Sequence, residues 1–154
     1  GKNPVSSPKV GVQLYGDYLP FGWETSFGTL RLGPYGSLSS IGEIQKIAGG
    51  LALALRPREA SWAVFTQTGV RYTTDEMRYH FEGRPASQGQ AAFNLAIGAR
   101  FYFENHENRE NQWYLSVVGE HDSNGRKMGI TIFPENGGFN PGVDSIMIGF
   151  GKSF

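Results

Sequence analysis

Cysteine is absent from the 154 residues. That excludes a disulfide scaffold, a thiolate nucleophile and cysteine-ligated metal, and it suits an envelope protein with no use for thiols. An excess of either charge is absent too, because 14 Lys and Arg balance 14 Asp and Glu. No polyanion-binding face is expected, so nucleic acid drops out as a partner. No stretch approaches the roughly 20 apolar residues of a spanning helix. Nor does a charged leader with an apolar core open the chain, so a mature chain starting at Gly1 is expected, with one domain over residues 1–154. What is plentiful is glycine, with 22 residues, and aromatic side chains at 14%. A soluble enzyme shares that composition, and so does a barrel in which one side chain in two meets lipid.

Apolar residues recur with period two, helical spacing does not, and Gly, Pro and Asn clusters punctuate the pattern. The clearest run sets Phe93, Leu95, Ile97, Ala99, Phe101 and Phe103 on one face against Ala92, Asn94, Ala96, Gly98, Arg100 and Tyr102 on the other. Val10, Val12 and Leu14 alternate with Lys9, Gly11, Gln13, Tyr15 and Asp17 in the same way. Strands are expected at 8–19, 23–33, 36–45, 49–57, 61–73, 91–103, 112–123 and 143–154. The expected fold is all-β, an eight-stranded antiparallel up-and-down transmembrane β-barrel, because only closure satisfies every backbone group in lipid.

A soluble lipocalin-like barrel would put the apolar face inside. Two features favour apolar outside. Large aromatics gather at strand ends, with Trp62, Phe101, Phe103, Trp113 and Phe154 expected at one rim and Tyr18, Phe21, Trp23 and Tyr72 at the other. The opposite face carries Asp17, Arg71, Arg100 and Glu120, costly in a dry cavity but able to pair in a polar lumen. The two longest connections, 74–90 and 124–142, follow the fifth and seventh strands and so share one end. Shorter turns are expected near Gly33–Gly36, Pro57–Ala60 and Glu104–Asn111, with both termini on the periplasmic side.

The seventh strand reads Trp113, Leu115, Val117, Gly119, His121, Ser123 on one parity, so a His and a Ser continue the apolar stripe at its extracellular end. Asp144 shares parity with Ile146, Ile148 and Phe150 on the neighbouring strand. Alternate residues of one strand stand about 7 Å apart and adjacent strands about 5 Å, within reach of a Ser-His-carboxylate relay. Ser123 is the candidate nucleophile, His121 the base that accepts its proton, and Asp144 the group that orients the imidazole. Asn124 and Gly125 follow directly and are the candidate oxyanion donors.

His121-x-Ser123-Asn124, followed by Asn140-x-Gly142-x-Asp144 and a strand ending in Phe154, resembles PagL-type lipid A 3-O-deacylases. The likeness covers residues 113–154. It implies an eight-stranded outer-membrane barrel and an ester hydrolase acting on lipopolysaccharide among outer-membrane lipids. The implied triad is Ser123, His121 and Asp144, with neither metal nor other cofactor. The family usually reads Asn-Ala-Gly where this chain has Asn124-Gly125-Arg126, its acid can be glutamate, and its loop before the acid is shorter.

His121-Asp122-Ser123-Asn124-Gly125-Arg126 also resembles the motif of outer-membrane phospholipase A, which implies a Ser-His-Asn triad, here with Asn136, and calcium. That family's twelve strands need more than 154 residues at about ten per strand plus loops. An adhesin or structural barrel without catalysis is the alternative class, since a surface His and Ser before an Asn-Gly turn are ordinary loop chemistry. Arg126, Lys127 and Asn140, or Arg71 and Arg84, are placed to meet substrate phosphates, although basic residues are expected at any anionic surface. His80 and His106 lack metal-ligand spacing. Gly149-Phe150-Gly151-Lys152-Ser153 lacks the first glycine of a P-loop.

Overall fold

A computed structural model of the chain describes residues 9–41, 44–73, 90–103, 112–123 and 143–154. Every regular element among them is a strand: β1 (Lys9–Asp17), β2 (Phe21–Glu24), β3 (Gly28–Ile41), β4 (Ile44–Pro57), β5 (Trp62–Thr73), β6 (Gln90–Tyr102), β7 (Gln112–Ser123) and β8 (Val143–Ser153). Antiparallel pairing runs from β3 to β8 in chain order. β1 then closes the ring, antiparallel to β3 and parallel to β8. Seven strands form the closed barrel, and β2 is an extra short strand along β3.

The expected eight-stranded, wholly antiparallel barrel is therefore corrected, and the error lies in the first third of the chain. Gly33-Pro34-Tyr35-Gly36 is not a turn but the middle of β3, joining the expected strands 23–33 and 36–45. β1 and β2 run along that single strand in succession. Asp17 pairs with Tyr35 and Phe21 with Leu32, so Tyr18, Leu19 and Pro20 bulge opposite Gly33 and Pro34. Pro34 has no N–H to give a ladder, and its carbonyl accepts from the Tyr18 amide at 3.0 Å. A Cβ on residue 33 would fall 1.9 Å from the Tyr18 carbonyl oxygen, so the bulge requires glycine there. The hairpin turn lies instead after β2, where the Thr25 hydroxyl accepts from the amides of Phe27 (3.2 Å) and Gly28 (3.1 Å).

Closure by an odd number of strands makes the last pair parallel. β1 and β8 start at the same end, so the start of the first strand and Phe154 after the last, expected at one end of the barrel, lie at opposite ends. Following the register from Val12 through Ile148, Val117, Ala99, Val64, Leu55 and Leu30 arrives at Trp23, a stagger that tilts the strands.

Alternation separates the two faces as expected. Val10, Val12, Leu14, Leu38, Leu51, Val117 and Ile148 are exposed on the outer wall, and Ile97 is 71% exposed. The lumen is filled. Tyr15 stacks on Tyr35 with centroids 5.5 Å apart, and Phe65, Tyr114 and Met147 pack around them. Arg100 and Asp17 form a fully buried ion pair at 2.6 Å, and the guanidinium lies 4.2 Å from the Phe65 ring centroid and 4.6 Å from that of Tyr114. Tyr114 and Ser153 also donate to Asp17, at 3.2 and 2.7 Å. The charged residues read as luminal are thus paired. Arg71 is among them, beside Asp122, which removes it as a phosphate contact on the outer surface.

The rims differ from expectation. Tyr18, Phe21 and Trp23 lie at the same end as Trp62, Phe101, Phe103, Trp113 and Phe154, because the β2–β3 hairpin points that way. One aromatic belt encircles the short-turn end, and of the aromatics expected at the other rim only Tyr72 is there. Gly149-Phe150-Gly151-Lys152-Ser153 is a stretch of β8.

Candidate active site

β7 and β8 bring the candidate residues to the end of the barrel where β5 and β7 finish, so the connections 74–89 and 124–142 leave from it. Along β7, Gln112, Tyr114, Ser116, Val118, Glu120 and Asp122 are buried in the lumen, while Trp113, Leu115 and Val117 are exposed. His121 has the outward parity and is half-buried. Strand periodicity alone therefore puts it outside while both of its chain neighbours point inside.

The register supplies the partner. His121 stands directly opposite Asp144 on β8 and opposite Leu95 on β6. Ser123 is the next β7 position of the same parity, opposite Phe93. Position 121 thus sits between positions 123 and 144, one step along the strand from the first and one strand from the second. Directly opposed residues have Cβ atoms about 4.5–5.5 Å apart, and diagonal ones about 7–8 Å. Such spacing suits a base flanked by a nucleophile and an orienting acid.

The outer wall below His121 is apolar and notched. Gly119 contributes no side chain, Thr68 and Thr66 are short, and Leu51, Leu95 and Ile97 stand around them, leaving an open groove that reaches His121. The Thr66 hydroxyl donates to the Ala96 carbonyl at 2.8 Å, so it adds no unsatisfied polarity to the groove.

Inside, the same stretch of β7 is tied to five other strands. Lys46 of β4 forms fully buried ion pairs with Glu120 and, at 2.9 Å, with Asp122. Asn94 of β6 donates to Asp122 at 2.8 Å, and Gln13 of β1 donates to Glu120 at 2.9 Å. Tyr35 of β3 and Gln67 of β5 donate to the Asn94 carbonyl oxygen at 2.8 and 2.9 Å. Two cations, Lys46 and Arg71, face two carboxylates, so the cluster is neutral.

Sequence reading missed Lys46, Asn94 and Asp122 as a cluster. Lys46 lay between the expected strands 36–45 and 49–57, whereas the structure places it inside β4. Its signal was available, since it shares parity with Ala48, Ala52 and Ala54, and Asp122 shares parity with Glu120. Asn124, Gly125, Arg126, Lys127, Asn136 and Asn140 lie outside the described residues, as do Arg84, His80 and His106. Among the described residues no group of three or more His, Asp or Glu is placed to hold a metal ion.

No protein-family model, curated protein or solved structure matches the chain.

Proposed function

We propose that this protein is a serine esterase of the bacterial outer membrane that removes the 3-O ester-linked acyl chain from lipid A of lipopolysaccharide. The observation that carries the reading is the register of β7 on β8, which pairs His121 with Asp144 and sets Ser123 next to them on the outward parity. Support for a lipid setting comes from the apolar outer wall, the paired charges inside the lumen and the aromatic belt. The substrate class rests on the motif resemblance.

In this reading the long-connection end stands at headgroup level and the groove below His121 receives the acyl chain. Ser123 Oγ attacks the ester carbonyl as His121 takes its proton, and Asp144 steadies the imidazolium. Asn124 and Gly125 supply donors to the oxyanion, and Arg126, Lys127 and Asn140 meet the sugar phosphates. The protonated His121 then releases the sugar hydroxyl. Water, activated by the same base, frees the fatty acid from Ser123.

Mass spectrometry of lipid A and phospholipids, from cells with and without the protein, tests it. Lipid A is expected to lose the mass of one ester-linked acyl chain. Ser123→Ala and His121→Ala should abolish that loss while keeping the heat-modifiable gel mobility of a folded barrel. Unchanged lipid A, or full activity in Ser123→Ala, defeats the reading.

A further inference from the structure

We infer that the luminal cluster centred on Lys46 is a positioning device for the outward-facing His121. The inference rests on the esterase reading for its purpose, but its geometry does not depend on it. Glu120 and Asp122 are the immediate neighbours of His121, and strand alternation turns them inward while His121 faces out. Anything that fixes the two carboxylates fixes the backbone from which the imidazole projects.

The ionic fixing of β7 is concentrated here. Lower on β7 the inward residues are Gln112, Tyr114, Ser116 and Val118; Gln112 accepts from Arg56 of β4 and Tyr114 donates to Asp17 of β1, but none of the four carries a charge to pair. At 120–122, Lys46 reaches from β4, on the far side of β5 and β6, and holds both carboxylates at once. Gln13 and Asn94 hold the other carboxylate oxygens. A buried ionic cluster is a poor source of stability, because apolar residues of equal volume do as well or better. Its use here is positional, since β7 can neither slide nor rotate past β4 without breaking two ion pairs. Alignment of this kind matters to a relay, in which a misplacement of about 1 Å costs on the order of 10²-fold in rate.

The test uses the full chain folded in detergent micelles. The charge-neutral double variant Lys46→Met/Glu120→Gln removes the bridge but leaves Arg71 with Asp122. Three quantities are read on it: kcat and KM for a p-nitrophenyl ester, the rate of Ser123 labelling by a fluorophosphonate, and the His121 ring resonances, assigned with His121→Gln. For the folded double variant we expect kcat and labelling to fall by about tenfold or more with KM within about twofold. The His121 resonances should move, and Lys46→Arg, which keeps the bridge, should stay near the parent. Folded double variant with parental His121 resonances and kcat overturns the inference. If the double variant does not fold, Gln13→Leu cuts one direct tie to Glu120 without removing a charge, and unmoved His121 resonances there overturn it equally. A parent chain that neither labels nor turns over defeats the esterase reading alone. The resonances of the variants then still decide the positioning claim.

Discussion

Ile97→Lys separates a barrel that lives in lipid from one that lives in water. Ile97 lies near the middle of β6 and is 71% exposed on the outer wall, opposite Thr66 and Gly119. Its neighbours are small, so a lysine meets no steric obstacle and the measured change reports its surroundings. Surrounded by water, a surface substitution of this kind stays within about 0.5 kcal/mol. At the middle of a bilayer, lysine on the outer face of a barrel costs about 2–4 kcal/mol. The side chain cannot escape that cost by stretching, because Tyr102 at the strand end is five residues on, roughly 17 Å along β6 at 3.4 Å per residue. The assay is urea unfolding of the chain reconstituted in phospholipid vesicles, followed by fluorescence of Trp23, Trp62 and Trp113. Tyr72→Lys, on the outer face at the long-connection end, serves as the depth control and should cost about 0–1 kcal/mol. Equal effects of the two variants, or an Ile97→Lys cost below about 0.5 kcal/mol, would refute the transmembrane reading.

Asp17→Asn removes the charge facing the fully buried Arg100 and should destabilise by about 3–5 kcal/mol in the same titration. Adding Arg100→Met should restore most of the loss, and a purely additive double variant would show that the two are not coupled. Asp144→Asn should lower kcat on the order of 10²-fold or more while Ser123 still labels slowly, because the nucleophile and base remain but the imidazole loses its orienting charge. Removal of divalent cations with EDTA should leave ester turnover unchanged. A calcium requirement would instead favour phospholipase-type chemistry at the same Ser and His.

The later strands were legible because nothing interrupts their alternation. In β6 the sequence from Phe93 to Tyr102 reads out and in without a break, and the structure follows that alternation. The luminal side was legible from charge, since Arg100 and Asp17 are affordable only where they meet. The N-terminal third was misread because Gly and Pro carry two meanings. Gly33 and Pro34 look like a turn, yet the pair makes room for the bulge at Tyr18–Pro20 and supplies a residue that needs no ladder donor. That one ambiguity changed the strand count, the direction of β1 relative to β8 and the rim to which Trp23 belongs.

Local alternation, then, decided by itself which side chains face out and that His121, Ser123 and Asp144 share a parity. That information is carried within each strand, two residues at a time. Register between strands decided the rest, and it depends on closure of the whole ring. Only the assembled barrel sets His121 opposite Asp144, lays β1 parallel to β8 and brings Lys46 to Glu120 and Asp122 from three strands away. Those meetings follow from the stagger of seven strands, which no stretch of sequence specifies alone.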